Sequence, residues 1–228
     1  MNNIDDNKKM LEKVKIEYSK IIKIVLVIII VIALLFSIKF IYVFNVFKRN
    51  LKAELSLGNN YKIIYNEIHG DSKQEIQVYC KEDLKMIVSK TDDDSVSYSI
   101  PNENRYMTLY NINLKEKTYK KYENAMDLLF ESYFKYFNTI RLTKIEDISL
   151  LKTSLEYINK IGREEYEGKN YIVLQNNGYK YWIDPETYYM KIKKYEDQIT
   201  EYITIEKNTV TDKDMKIPDL SDYQEISN

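Results

Sequence analysis

A single cysteine, a single histidine, three prolines and five glycines are all that a 228-residue chain holds of these types. With Cys80 alone, no intrachain disulfide can form, so whatever folds is held by its core. With His69 alone, multi-histidine and Cys/His zinc sets are excluded. Ser-His-Asp or Cys-His nucleophile arrangements are likewise excluded, beyond one unsupported pair. The few glycines include no phosphate-cradling loop. Net charge is also nearly absent, with 34 Lys and Arg against 35 Asp and Glu.

That balance hides a polarity. Residues 1–49 carry 9 Lys/Arg and 4 Asp/Glu, whereas residues 50–228 carry 25 and 31. An acidic body argues against nucleic acid as its partner, because such a binder needs a basic face to displace counterions. A basic tail suits anionic lipid headgroups.

The tail leads into a long apolar run. Ile24 to Ile38 reads IVLVIIIVIALLFSI, bracketed by Lys23 and Lys39 and extended by Phe40-Ile41-Tyr42-Val43-Phe44. A bilayer core needs about 20 helical residues. Residues 21–44 supply them if the two lysines snorkel to the interfaces, and Tyr42 and Phe44 suit the aromatic belt. Leu35-Phe36-Ser37 is a poor cleavage site and no cysteine follows the run, so an uncleaved signal-anchor is expected. Six lysines precede the span against Lys48, Arg49 and Lys52 after it, which places the N-terminus in the cytoplasm. The expected layout is a basic cytoplasmic tail over 1–20, an anchor over 21–44, a linker over 45–60 and an extracytoplasmic domain over 61–226.

The body changes period. Tyr61 to Ile68, Glu75 to Tyr79, Leu84 to Ser89 and Arg105 to Ile112 read as strands, with turn chemistry at His69-Gly70-Asp71-Ser72. Met126, Leu129, Phe130, Tyr133, Phe134 and Phe137 then follow the stripe of an amphipathic helix, with Asn124 as N-cap and Asp127 in its first turn. A second helical or irregular piece is expected over Ile145 to Ser154. Strands are expected again over Glu156 to Tyr166, Tyr171 to Gln175, Tyr179 to Ile183, Tyr189 to Tyr195 and Ile199 to Lys207. Their turns are Glu167-Gly168-Lys169-Asn170, Asn176-Asn177-Gly178 and Asp184-Pro185-Glu186-Thr187. Period two in the last strand puts Ile199, Ile203 and Ile205 on one face and Tyr202 and Thr204 on the other. The fold class is α+β: a transmembrane helix, then a curved antiparallel sheet covered by one or more helices.

Glu167-Gly168-Lys169, Tyr181-Trp182-Ile183-Asp184-Pro185-Glu186-Thr187, Asn208-Thr209-Val210-Thr211-Asp212 and Ile217-Pro218-Asp219 resemble the closing motifs of the LolA-like superfamily of extracytoplasmic lipoprotein-binding domains. The resemblance implies a half-open β-barrel plugged by helices and no catalytic signature. In some members that cavity takes acyl chains. In the germination lipoprotein GerS of spore formers and its relatives, which this composition resembles, the fold instead binds a cortex-lytic amidase. GerS has a lipidated cysteine where this chain has a helix.

The remaining candidates for chemistry are weak. His69 sits in a turn, Cys80 ends a strand as a small apolar residue, and Asp92-Asp93-Asp94 lacks the spacing of a calcium loop. Glu164, Glu165 and Glu167 alternate along a hairpin instead of converging. No catalytic residue, metal ligand or cofactor is therefore expected. Two functions lead: docking of an exported protein such as a cell-wall or spore-cortex hydrolase, or carriage or sensing of a hydrophobic acyl-chain ligand or lipoprotein in a cavity lined by Phe130, Phe134 and Phe137, with a hydrolase a distant third.

Overall fold

The computed structural model describes the backbone of residues 2–125, 129–137 and 150–226, and the side chains of 17–125, 129–134 and 150–226. It begins with one helix, α1, Asn2–Leu55. At 1.5 Å per residue its 54 residues extend about 80 Å. From Ile21 to Ile38 the large apolar side chains are 48–65% exposed all round the helix, over roughly 27 Å of rise. A helix so apolar and so uncovered is long enough to cross a membrane.

Burial begins at the next turn. Val43, Val46 and Phe47 are at most 2% exposed and Asn50 is 3% exposed, at spacings i, i+3, i+4 and i+7. The stretch 45–60, expected as a linker, is thus helical to Leu55, and Leu57 just beyond it is also in the core.

Six strands follow as a meander: β1 Asn60–His69, β2 Ser72–Lys81, β3 Leu84–Lys90, β4 Ser95–Pro101, β5 Met107–Asn113 and β6 Thr118–Tyr122. Two helices come next, α2 Phe130–Phe137 and α3 Leu150–Tyr157. A second meander comprises β7 Ile161–Tyr166, β8 Lys169–Asn176, β9 Tyr179–Ile183, β10 Met190–Tyr195 and β11 Gln198–Lys207, and β12 Gln224–Glu225 closes the chain. β1 pairs with β11 and joins the two meanders into one open sheet, β12-β6-β5-β4-β3-β2-β1-β11-β10-β9-β8-β7. All neighbours are antiparallel except β12, which lies parallel to β6.

The inner face, against the helices, carries Tyr61, Ile63 and Tyr65 of β1, Ile76, Val78 and Cys80 of β2, and Leu174, Ile183 and Met190 beyond the junction. These form one cluster with Val43, Val46 and Phe47 of α1 and with Phe130, Phe134 and Tyr157. On the outer face the tail after β11 lays Val210 and Met215 over Tyr79, Met86, Val88 and Val96. Asn60 fixes that tail: its side chain accepts from the Val210 amide at 3.0 Å and donates to the Val210 carbonyl at 3.1 Å.

Several expectations are corrected. β4 and β6 are strands beyond those expected; β4 alternates Val96, Tyr98 and Ile100 with serines, and β6 has no apolar alternation. The strand expected from Glu156 starts only at Ile161, because α3 runs to Tyr157. Asn124 does not cap a helix; it lies at φ 54° and its side chain accepts from Asn102 at 2.7 Å, while α2 starts at Phe130. Met126 and Asp127, and residues 145–149 of the second expected helix, lie outside the described residues. In β11 the register slips between Ile64 and Tyr65, so Ile203 is an extra residue with no cross-strand partner. That bulge resets the alternation. Tyr202 and Ile205 both reach the inner cluster, Ile199 packs on the outer face, and Ile203 is left 48% exposed.

Candidate functional site

The most constrained assembly is the seat of α1. Helical spacing aims Val43, Val46, Phe47 and Asn50 at the sheet. The Phe47 ring meets the Tyr157 ring of α3 edge-on at 5.3 Å. The Asn50 side chain donates to the Tyr188 carbonyl at 2.8 Å, and the Arg49 guanidinium donates to the Tyr188 hydroxyl at 2.7 Å. Tyr188 sits at φ 61°, a strained conformation for an aromatic residue, in the turn between β9 and β10. Two side chains of α1 therefore fix one turn at the end of the sheet.

Asp184 builds that turn from within. Its carboxylate is 3% exposed and accepts from the amides of Glu186 and Thr187 at 2.8 and 3.1 Å and from Lys169 Nζ at 2.7 Å. Burial alone would raise its pKa, but Lys169 and the two amides more than offset this and hold the carboxyl below its ordinary value. The Trp-Ile-Asp-Pro motif is thus a turn device, with the acid bonded to backbone two and three residues on.

Of the residues expected to line a cavity, Phe130 and Phe134 are 1% and 3% exposed, with ring centroids 5.9 Å apart. Lys85, bonded to Glu131 at 2.7 Å, lies 5.6 Å over the Phe134 ring. Both phenylalanines belong to the cluster that contains the end of α1. The side chain of Phe137 lies outside the described residues. Phe134→Ala is expected to cost about 3–5 kcal/mol of folding free energy, as for a core aromatic, measured by denaturant unfolding.

The inner face beside the junction is rich in tyrosine. Tyr65 and Tyr202 pack at 5.2 Å, and Tyr179 stacks on Tyr195 at 4.4 Å. Burial pushes the Tyr181 hydroxyl up to about 12 and the Tyr202 hydroxyl further still. Burial also raises the Glu67 carboxyl, against the opposing pull of Lys193. On the outer face Trp182 packs with Val173 and Ile192 beneath Lys180, whose Nζ is 4.5 Å from the ring centroid.

Other sequence candidates are dispersed. The His69 side chain is 73% exposed at the end of β1, 4.0 Å from Asp197. Cys80 is buried on the inner face, where desolvation pushes its thiol up. Asp92, Asp93 and Asp94 form the turn between β3 and β4, in which Asp92 accepts from the Asp94 amide. Glu164 pairs with Lys180 at 2.6 Å on the outer face, whereas Glu165 is the next residue along β7. These groups do not converge on a common point.

No family model matches the chain, and no curated protein matches it. Among solved structures it is similar to a DUF1329 family protein from Desulfovibrio piger at 7% identity and a TM-score of 0.32, over 75% of this chain and 96% of that one. A likeness at that score carries no argument about this chain's function.

Proposed function

We propose that the chain is a membrane-anchored, non-catalytic binding protein whose body lies outside the cytoplasm and docks an exported protein, such as a cell-wall or spore-cortex hydrolase. Its sheet is read as a LolA-like half-barrel, used as in the GerS group rather than as in the lipid shuttles.

One observation carries the reading: the inner face, where a carrier would hold an acyl chain, packs against the chain's own anchor helix through Val43, Val46 and Phe47. Phe130 and Phe134 belong to that same packed cluster. A partner then has the outer face and the sheet edges, both suited to protein contacts. Burial of Asn50 under Tyr188 favours a body held at a set position over the bilayer. The lysine-rich flank before the span supports a cytoplasmic N-terminus.

The test compares the tagged full chain with a tagged anchor of residues 1–60, each cross-linked in intact cells. An exported protein recovered with the full chain and not with the anchor is expected; identical recoveries from the two would overturn the reading. A fluorescent fatty acid added to the purified full chain is expected to show no saturable binding, and saturable binding would favour the carrier.

A further inference from the structure

At one end of the sheet the short β12 covers β6, but among the described residues no strand covers β7. An uncovered edge offers a row of amides and carbonyls to another strand. Its register can be worked out. β7 and β8 are joined by Glu167 and Gly168, at φ 49° and 77°, and Tyr166 pairs with Lys169. Two positive φ values make a two-residue turn whose closing pair exchanges both hydrogen bonds. The backbone groups of Tyr166, Glu164 and Gly162 therefore face β8, and those of Glu165, Arg163 and Ile161 face outward.

We propose that β7 pairs with β7 of a second copy of this chain, antiparallel and centred on Glu164. Outward groups must meet outward groups, which leaves three central registers. Centring on Arg163 puts two arginines opposite each other, and centring on Glu165 puts two glutamates opposite each other. Centring on Glu164 places Arg163 opposite the second copy's Glu165, twice over by symmetry. The two Glu164 side chains then meet, but each already holds Lys180 at 2.6 Å.

The side-chain shapes agree with this register. Gly162 has open space where a Cβ would be, with nothing within 4 Å, and it borders a depression of about 600 Å³ that Val173, Gln175 and Lys180 also line. In the register centred on Glu164 the second copy's Tyr166, whose ring packs 6.1 Å from its own Trp182, stands directly across from Gly162 on the same outer face, beside the space left by the missing side chain. The interface is isologous. It is also small, and confinement of both copies by their anchors raises the effective concentration at which it forms. The inference goes beyond the docking function, which uses a different protein as partner.

The test uses the full chain in membranes, with single cysteines placed along β7 and mild oxidation by copper phenanthroline. Residue 164 faces its own copy in a pair that is not hydrogen-bonded, with Cα atoms about 4.5 Å apart, within disulfide reach. Glu164→Cys is expected to give the strongest cross-linked dimer, at least fivefold above Glu186→Cys in the exposed turn between β9 and β10. In the Glu164→Cys background Arg163→Glu is expected to lower the dimer about tenfold, since it sets like charges opposite each other twice. Adding Glu165→Arg to that variant is expected to restore it. Equal cross-linking at 164 and 186, or no recovery in the double variant, overturns the proposal. A chain that cross-links at 164 yet recovers no exported partner keeps the dimer and loses the docking function.

Discussion

A chain beginning at Tyr61, the first residue of the expected domain, is expected not to fold, whereas one beginning at Tyr42 is expected to fold as a soluble protein. The shorter chain lacks Val43, Val46, Phe47 and Leu57, all at most 5% exposed. At about 1.5–3 kcal/mol for each buried apolar side chain, their loss removes roughly 6–12 kcal/mol as an upper estimate. That equals much of the 5–15 kcal/mol by which a typical domain is stable. It also uncovers the inner-face residues Ile63, Val78 and Leu174. Circular dichroism and urea unfolding of the two fragments read the result: a cooperative transition for the chain starting at 42 and none for the chain starting at 61. Equal stability of the two would mean that the end of α1 merely rests against the sheet.

The second large effect is expected at Asp184. Asp184→Ala leaves the amides of Glu186 and Thr187 and the ammonium of Lys169 without their acceptor. A buried charged acceptor of this kind is worth about 1.5–3 kcal/mol, with the Lys169 share at the low end because that side chain is 47% exposed. The turn it shapes holds Tyr188, so the seat of Asn50 and Arg49 loosens as well. Asp184→Asn keeps an oxygen for the amides but loses the ion pair, and is expected to fall between wild type and Asp184→Ala.

The pH dependence follows from the lowered pKa. The folded protein holds this carboxyl below its ordinary value of 3.8, so the stabilisation is complete above that value and is lost as pH falls through the lowered one. The gap between wild type and Asp184→Ala in denaturant midpoints is expected to be full at pH 7 and to narrow below about pH 3.8. A gap unchanged at acid pH would assign the effect to turn shape rather than to the charge.

Much of the architecture is legible along the chain, because its signals are periodic. The apolar run could be read from composition, and the second meander from Glu167-Gly168 and Asn177-Gly178, whose positive φ values the structure contains. What was hidden depends on non-local pairing. The bulge at Ile203 is set by how β1 and β11 meet, and nothing in Tyr202-Ile203-Thr204 announces it. β6 has no apolar alternation and is a strand because β5 and β12 pair with it. The seat of α1 was legible in principle. Val43, Val46, Phe47 and Asn50 keep helical spacing, but Lys48, Arg49 and Lys52 among them read as a polar exit from the bilayer.

The candidate site was less legible than the fold. Phe130 and Phe134 could be found from their stripe, yet a stripe does not tell a cavity wall from a core, and it is the neighbours from α1 that decide. Asp184 stood out only as a turn residue, and its link through Tyr188 to Asn50 joins positions 138 residues apart.

The apolar span and the body share one helix, and amide hydrogen exchange of the full chain in lipid vesicles tests this most directly. Residues 43–55 are predicted to exchange as slowly as the central strands β1 and β2, as one cooperative unit with them. Exchange of that stretch within seconds, while β1 and β2 stay protected, would show a flexible tether and contradict the account.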